Sequence, residues 1–331
     1  MSDFDTIQST DFTPSADQSA APFPSPETTL PSPVPTKSRA PLIVSLLALL
    51  VALAALAVAC LALYRTTPAP EAESEDSEAV YAQPGTTISY KNRQLPAYAQ
   101  VPVNQYDPAA FAWQDGRVVY NGEGAQPLVG IDVSYYQKDI DWQQVKTSGV
   151  DFAMIRVGYR GYGVNGNILP DSYFEQNIRG ALDAGLKVGV YFFSQSINVW
   201  EAEEEAAFVL DAIRGYDITF PVVFDWEVIN NANARTTGLS SEALTRCALA
   251  FCDKIEKAGY TPAVYFNLDL AYLNYDLGRL AQYPFWLAEY KTVPSFFYHF
   301  DMWQYSAKGS VPGIEGSVDL NLSFTDFSTK E

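Results

Sequence analysis

From about Leu128 the chain alternates short β-branched, aliphatic or aromatic runs with stretches whose apolar positions recur every three or four residues. The apolar runs are Leu128–Val133, Phe152–Val157, Val188–Phe193, Phe220–Trp226 and Ala263–Phe266. Runs of this length and type read as buried strands. Between them Asp141–Ser148, Ser172–Ala184, Val199–Ile213 and Ser240–Ala258 read as helices. The third places Glu201, Glu203, Glu204 and Glu205 in its early turns, where the helix dipole favours acid, and offers Phe208, Val209 and Ile213 as a buried face. Further on the helices thin out and leave strand-like Phe285–Ala288, Phe300–Tyr305 and Val318–Leu322. Eight strands, the first five alternating with helices, predict an α/β fold: a closed, TIM-like (β/α) barrel with an irregular last third. An open, doubly wound sheet is the alternative.

Upstream the pattern changes. Residues 1–40 are rich in Ser, Thr, Pro and Asp and poor in apolar residues, which predicts a disordered tail. Residues 42–64 carry no charge and are mostly Leu, Ala and Val. As a helix they would span about 34 Å at 1.5 Å per residue, enough to cross a bilayer. Lys37 and Arg39 precede this run, and Glu71, Glu73, Glu75, Asp76 and Glu78 follow it after a single Arg65. The bias predicts a single-pass cell-membrane protein with a cytoplasmic N-terminus and an extracellular main domain; a cleaved signal peptide is the alternative. Residues 66–100, rich in Pro, Ala and acid, read as a linker. Residues 101–126 form a short pre-domain segment with a small hairpin around Asp115–Tyr120, and residues 127–325 form the main domain.

Composition then removes whole classes of function. A net charge of −18 argues against nucleic-acid binding, which needs a basic surface. Cys60 sits in the apolar run, while Cys247 and Cys252 are five apart in a predicted helix and point in different directions, which disfavours a disulfide. With one histidine, His299, a multi-histidine metal site is impossible, and any Ser-His or Cys-His mechanism must pass through a residue lacking a recognisable partner acid. Gly158–Gly163 has neither a P-loop lysine nor dinucleotide spacing. No metal and no cofactor are expected. Carboxylate chemistry remains.

The acids of the domain fall beside apolar runs, where a carboxylate is costly unless something holds or uses it. Asp132 follows Val129-Gly130-Ile131, Asp225 and Glu227 close Pro221–Phe224, and Asp319 lies in Ser317–Asn321. Parallel barrels gather their chemistry at the carboxyl ends of strands. Asp225 and Glu227, two apart, share a strand face with Cα atoms roughly 6.6 Å apart. Carboxyls that close disfavour joint ionisation and raise one pKa, as a general acid needs. Glu227 is the candidate acid, and Asp225 the group that stabilises positive charge, positions water or assists a substrate group. Taken singly, each acid has a plainer reading as a cap or a salt-bridge partner.

Aromatic and amide side chains at the same edges fit a sugar polymer, because flat rings cover sugar faces and amides hydrogen-bond hydroxyls. The candidates are Tyr135, Gln137, Tyr159, Tyr191, Trp226, Tyr265, Asn267, Tyr290, Trp303 and Gln304, with Tyr136, Phe193 and Tyr305 nearby. Core packing is the plain alternative for each ring.

Several segments together resemble glycoside hydrolase family 25, the lysozymes. They are Asp132-Val133-Ser134 with Gln137 and Ile140-Asp141-Trp142, then Phe152–Tyr159, Ala184–Tyr191, Pro221–Glu227, Trp303-Gln304-Tyr305 and Val311–Asn321. Lys138 stands where glycine is common in that family, and Phe192 where histidine or another polar aromatic is frequent. The resemblance runs from about Leu128 to Phe324 and implies a barrel of about five helices and eight strands. It implies an enzyme hydrolysing the β-1,4 bond between N-acetylmuramic acid and N-acetylglucosamine in peptidoglycan. It also implies Glu227 as the acid, Asp225 as the second carboxylate, and Asp132 and Asp319 as flanking acids. A non-catalytic wall-glycan-binding module and a glycosidase acting on chitin or another glycan are the competing functions.

Overall fold

The computed structural model describes residues 79–124 and 126–329. The expected tail, the apolar run at 42–64 and the first part of the expected linker lie outside these residues. Among the described residues no helix is long and apolar enough to cross a membrane.

The expected linker is not all linker. Strands β1 (Thr87–Tyr90) and β2 (Arg93–Pro96) pair antiparallel. Their two-residue loop, Lys91-Asn92, has φ of 44° and 61°, the primed-turn geometry that matches strand twist. Average composition hid this short hairpin. Tyr90 Oη donates to Asp269 Oδ1 at 2.7 Å, tying it to the main body. A second hairpin, β3 (Phe111–Gln114) and β4 (Arg117–Tyr120), turns at Asp115-Gly116 with φ of 51° and 80°. This is the hairpin expected in the pre-domain segment.

The main body follows as β5 (Leu128–Val133), α1 (Trp142–Thr147), β6 (Phe152–Arg160), β7 (Ile168–Pro170), α2 (Phe174–Asp183), β8 (Lys187–Ser194), α3 (Val199–Ala212) and β9 (Val222–Trp226). It continues through α4 (Ser241–Lys257), β10 (Pro262–Asn267), α5 (Leu268–Leu273), α6 (Leu277–Leu280), β11 (Phe285–Ala288), β12 (Met302–Gly309) and β13 (Val318–Ser323). Local chemistry sets the longer helices. Asn198 and Ser240 cap α3 and α4 by accepting from Glu201 N and Ala243 N, and Lys254 and Lys257 lie in the last turn of α4. Cys247 and Cys252 are both free and buried on α4.

Strands β5, β6 and β8 to β13 close into a barrel through the β5–β6 and β13–β5 pairings, and β7 adds an antiparallel flap to β6. The open-sheet alternative is thereby excluded. Neighbours are parallel from β5 round to β12, but β13 runs antiparallel to both β12 and β5. Two hydrophobic clusters follow from strand alternation. One, including Phe152, Met154, Phe220, Val223, Tyr265, Trp286 and Met302, fills the barrel; the larger one lies between the strands and the outer layer. At Gly130 an added Cβ would overlap the Phe152 ring, so only glycine fits that rung of the filled interior. In the last third, where helices are sparse, the β3–β4 hairpin supplies outer cover: Phe111 packs 4.6 Å from the Tyr120 ring and 5.4 Å from Trp303. The pre-domain segment therefore has a structural role the sequence reading did not assign, and the packed body begins well before residue 127.

Candidate active site

One rim of the barrel opens into a cleft of about 770 Å³, lined by Asp132, Asp225, Glu227 and Asp319 together, within the range of small-molecule sites. Asp132 is near the end of β5, Asp225 is on β9 and Glu227 follows directly after it. Asp319 arrives differently from the expected strand end. It is the second residue of antiparallel β13, in register with Asp132, so it reaches the same rim from the start of a strand.

A hydrogen-bond lattice fixes the charge on Asp132. Its Oδ2 accepts from Gln304 Nε2 at 2.8 Å and Asn321 Nδ2 at 2.7 Å. The amides cannot turn round without losing partners. Gln304 Oε1 accepts from Tyr265 Oη at 2.9 Å and Tyr290 Oη at 3.0 Å, and Asn321 Oδ1 accepts from Trp286 Nε1 at 2.9 Å. Burial raises the Asp132 carboxyl above its ordinary range, and bonds from Asn321, Gln304 and Asp319 offset only part of that rise. Burial and the charge of Asp132 push Asp319 up to about 8. The pair therefore shares one proton, with Asp319 as donor and Asp132 as charged acceptor.

The other two acids are also raised. Asp225 is buried and pushed well up, chiefly by burial and then by Glu227 and Asp132, with the Arg156 guanidinium opposing. Its Oδ1 has no hydrogen-bond partner among the described residues. Glu227 is raised by burial and by Asp132. Gln195 Nε2 donates to the Glu227 carbonyl at 2.9 Å, and Thr236 Oγ1 donates to Gln195 Oε1 at 3.0 Å, bracing the backbone that carries Glu227.

Of the expected sugar-contacting residues, Tyr135, Gln137, Tyr159, Tyr191, Tyr265, Tyr290 and Gln304 line the cleft, and Tyr136 and Phe193 join them. Three do not. Trp226 and Trp303 belong to the cluster outside the barrel: alternation turns Trp226 away from its neighbours Asp225 and Glu227, and Trp303 donates Nε1 to the Glu289 carbonyl at 2.9 Å. Asn267 is exposed and caps α5, its side chain accepting from Leu270 N. Tyr305 also faces outward, with its ring 5.6 Å from that of Trp303. The sequence reading missed Arg156, Trp286 and Asn321. Arg156 stands two residues from interior Met154 on β6, and Asn321 two from Asp319 on β13, so period-two alternation from known inward positions finds both. Lys138, in the usual glycine position, holds φ of 55°, which explains the glycine preference. Phe192 packs outward, with its ring 5.9 Å from that of Phe208, and is not a cleft residue.

Comparison with known proteins agrees with this geometry. The chain is 32% identical over 205 residues to lysozyme M1 of Streptomyces globisporus, covering 58% of this chain and 66% of that protein. It is 29% identical over 195 residues to the autolytic lysozyme of Clostridium acetobutylicum, covering 59% of this chain and 55% of that one. The match thus spans less than two thirds of either relative. A solved family 25 glycosyl hydrolase from Bacillus anthracis superposes with a TM-score of 0.52 at 26% identity, over 60% of this chain and 89% of that one. The family model described as glycosyl hydrolases family 25 matches residues 131–314, from the strand carrying Asp132 to the turn before Asp319. With more than half its length matched and four carboxyls meeting in one cleft, this chain belongs to glycosyl hydrolase family 25.

Proposed function

We propose that the protein is a lysozyme that hydrolyses the β-1,4 bond between N-acetylmuramic acid and N-acetylglucosamine in peptidoglycan. The observation that carries this is the meeting of four carboxyls, all raised by burial and one of them, Asp132, gripped by two oriented amides, in an aromatic-lined cleft. Family membership and the lysozyme relatives point the same way. Glu227, raised by burial and by Asp132 in the direction a general acid needs, is the acid that delivers a proton to the leaving glycosidic oxygen. Asp225 stands beside it as the second carboxylate, its unpartnered Oδ1 free for a polar group of the substrate. The Asp132–Asp319 pair keeps one negative charge in the cleft, which favours the positive charge that develops on the sugar ring. Tyrosine rings supply the faces against which sugars lie.

The uncharged run at 42–64, with basic residues before it and acidic residues after, supports anchoring in the membrane with the enzyme outside, working on peptidoglycan strands. The test of the bond is end-group identification. Peptidoglycan digested by the full-length protein is reduced with borohydride and hydrolysed; new muramitol supports the assignment, and new glucosaminitol refutes it. For the anchor, protease added to intact cells removes the cleft domain if the topology is right and leaves it whole if it is not.

A further inference from the structure

Two arginines line the cleft, and they are used differently. Arg160 is committed: Nε donates to Glu205 at 2.6 Å, Nη1 to the Gly166 carbonyl at 2.7 Å, and Nη2 to Glu204 at 2.7 Å and to the Glu201 carbonyl at 3.1 Å. Arg156 is not. Its Nε donates to Asp171 Oδ2 at 2.8 Å and its buried Nη2 lies 2.8 Å from the same oxygen in an ion pair, which leaves Nη1, the terminal nitrogen that is not fully buried, without a hydrogen-bond partner among the described residues. The residue is 9% exposed.

Asp171 lies outside the residues lining the cleft, and its oxygens are further occupied by the backbone N–H groups of Tyr135 and Tyr173 at 3.0 and 2.9 Å. The rings of Tyr135, Tyr136 and Tyr159 lie 5.0, 5.6 and 5.6 Å from the guanidinium carbon, within cation–π range. A counter-ion behind and rings around it hold the guanidinium as a preoriented fork with a spare donor. Charge compensation by Asp171 accounts for the burial of Arg156 but not for a spare donor at the wall of a cleft. Forks of this kind pair with planar anions, and a carboxylate is the anion that cell-wall glycan carries.

Resting on the lysozyme reading above, we propose that Arg156 is a carboxylate subsite of the cleft that takes the acid borne on the muramic residue. That acid is either the lactyl carboxylate of a strand without stem peptides or an acidic residue of the stem itself. Burial and Glu227 raise Asp225 well above the usual carboxylate range despite the nearby guanidinium, which lessens its repulsion of an incoming anion. On a strand bearing a carboxylate on each muramic residue, this subsite fixes which sugar stands beside Glu227.

The test uses the full-length protein on two glycans, intact peptidoglycan and peptidoglycan stripped of stems by an amidase. Each is used as such and after its carboxyls have been converted to amides. Reducing-end release gives kcat/KM. Arg156→Gln is expected to lose about 10- to 100-fold on a carboxylate-bearing glycan, as for a charge-assisted hydrogen bond, and nothing on its amidated form; Arg156→Lys recovers part of the loss. Loss on the stripped, charged glycan assigns the lactyl acid, and loss confined to intact peptidoglycan assigns the stem acid. Equal loss on charged and amidated forms, or no loss on either, overturns the proposal. The double variant Arg156→Gln, Asp171→Asn removes the ion pair as a unit, so an unpaired Asp171 cannot mimic the effect. A parent inactive on every glycan refutes the lysozyme reading instead, and equilibrium binding of the same charged and amidated fragments to parent and Arg156→Gln then decides the subsite by the same comparison.

Discussion

Asn321→Leu tests the claim that oriented amides hold the charge on Asp132. The substitution keeps the branched outline and the number of heavy atoms but removes the donor to Asp132 Oδ2 at 2.7 Å and the acceptor of Trp286 Nε1 at 2.9 Å. A buried hydrogen bond to a charged group contributes about 1.5–3 kcal/mol, and the orphaned indole N–H costs about 1–3 kcal/mol more. Only the first part depends on pH. Asp132, raised by burial, takes up its proton as pH falls, and there is then no anion for Asn321 to stabilise; near pH 7 Asp319, raised to about 8, holds the proton of the pair and the charge falls on Asp132. The destabilisation by Asn321→Leu is therefore expected to be larger at pH 7 than at pH 4 by about 1.5–3 kcal/mol, or roughly one to two pH units of added proton affinity at Asp132. Urea unfolding of parent and variant at both pH values measures it. An equal loss at the two pH values would show that Asn321 stabilises no charge there, and the reasoning fails.

Three other outcomes follow from the same structure. Phe111→Ala, opening space between the β3–β4 hairpin and Trp303, is expected to cost about 3–5 kcal/mol by denaturant unfolding; a loss below about 1 kcal/mol means the hairpin is not part of the core. Asp319 is raised from 3.8 to about 8, so the folded state keeps a proton the unfolded chain has released; this contribution is complete below about pH 4 and is lost as pH rises towards 8. The denaturation midpoint should fall across that window and fall less in Asp319→Asn, and identical slopes would contradict the shared proton. Activity should fall along the same alkaline limb as the cleft acids lose their protons.

The barrel was legible because its strands are continuous apolar runs and its helices keep a clear period; β5 and β11 match the expected bounds residue for residue. Three kinds of feature were not legible. The reversed direction of β13 leaves no mark on alternation, so Asp319 was placed at the correct rim for the wrong reason. Trp226 and Trp303 sit beside cleft residues in sequence, but successive strand positions face opposite ways and these face out. The β1–β2 hairpin is four residues a side, too short to stand out against the surrounding linker-like composition. Arg156 and Asn321 were within reach of alternation. Residue type alone does not mark them, because neutral amides and an arginine act on the charge in this cleft only through the partners the fold brings to them.

Glu227 as the proton donor to a glycan bond is tested most directly by comparing the full-length protein with Glu227→Gln for reducing-sugar release from purified peptidoglycan. The side chain keeps its shape and loses its transferable proton, so the rate is expected to fall by about 10²–10⁴-fold with the fold intact by circular dichroism. Unchanged release by the variant, or no release by the parent, would contradict the claim.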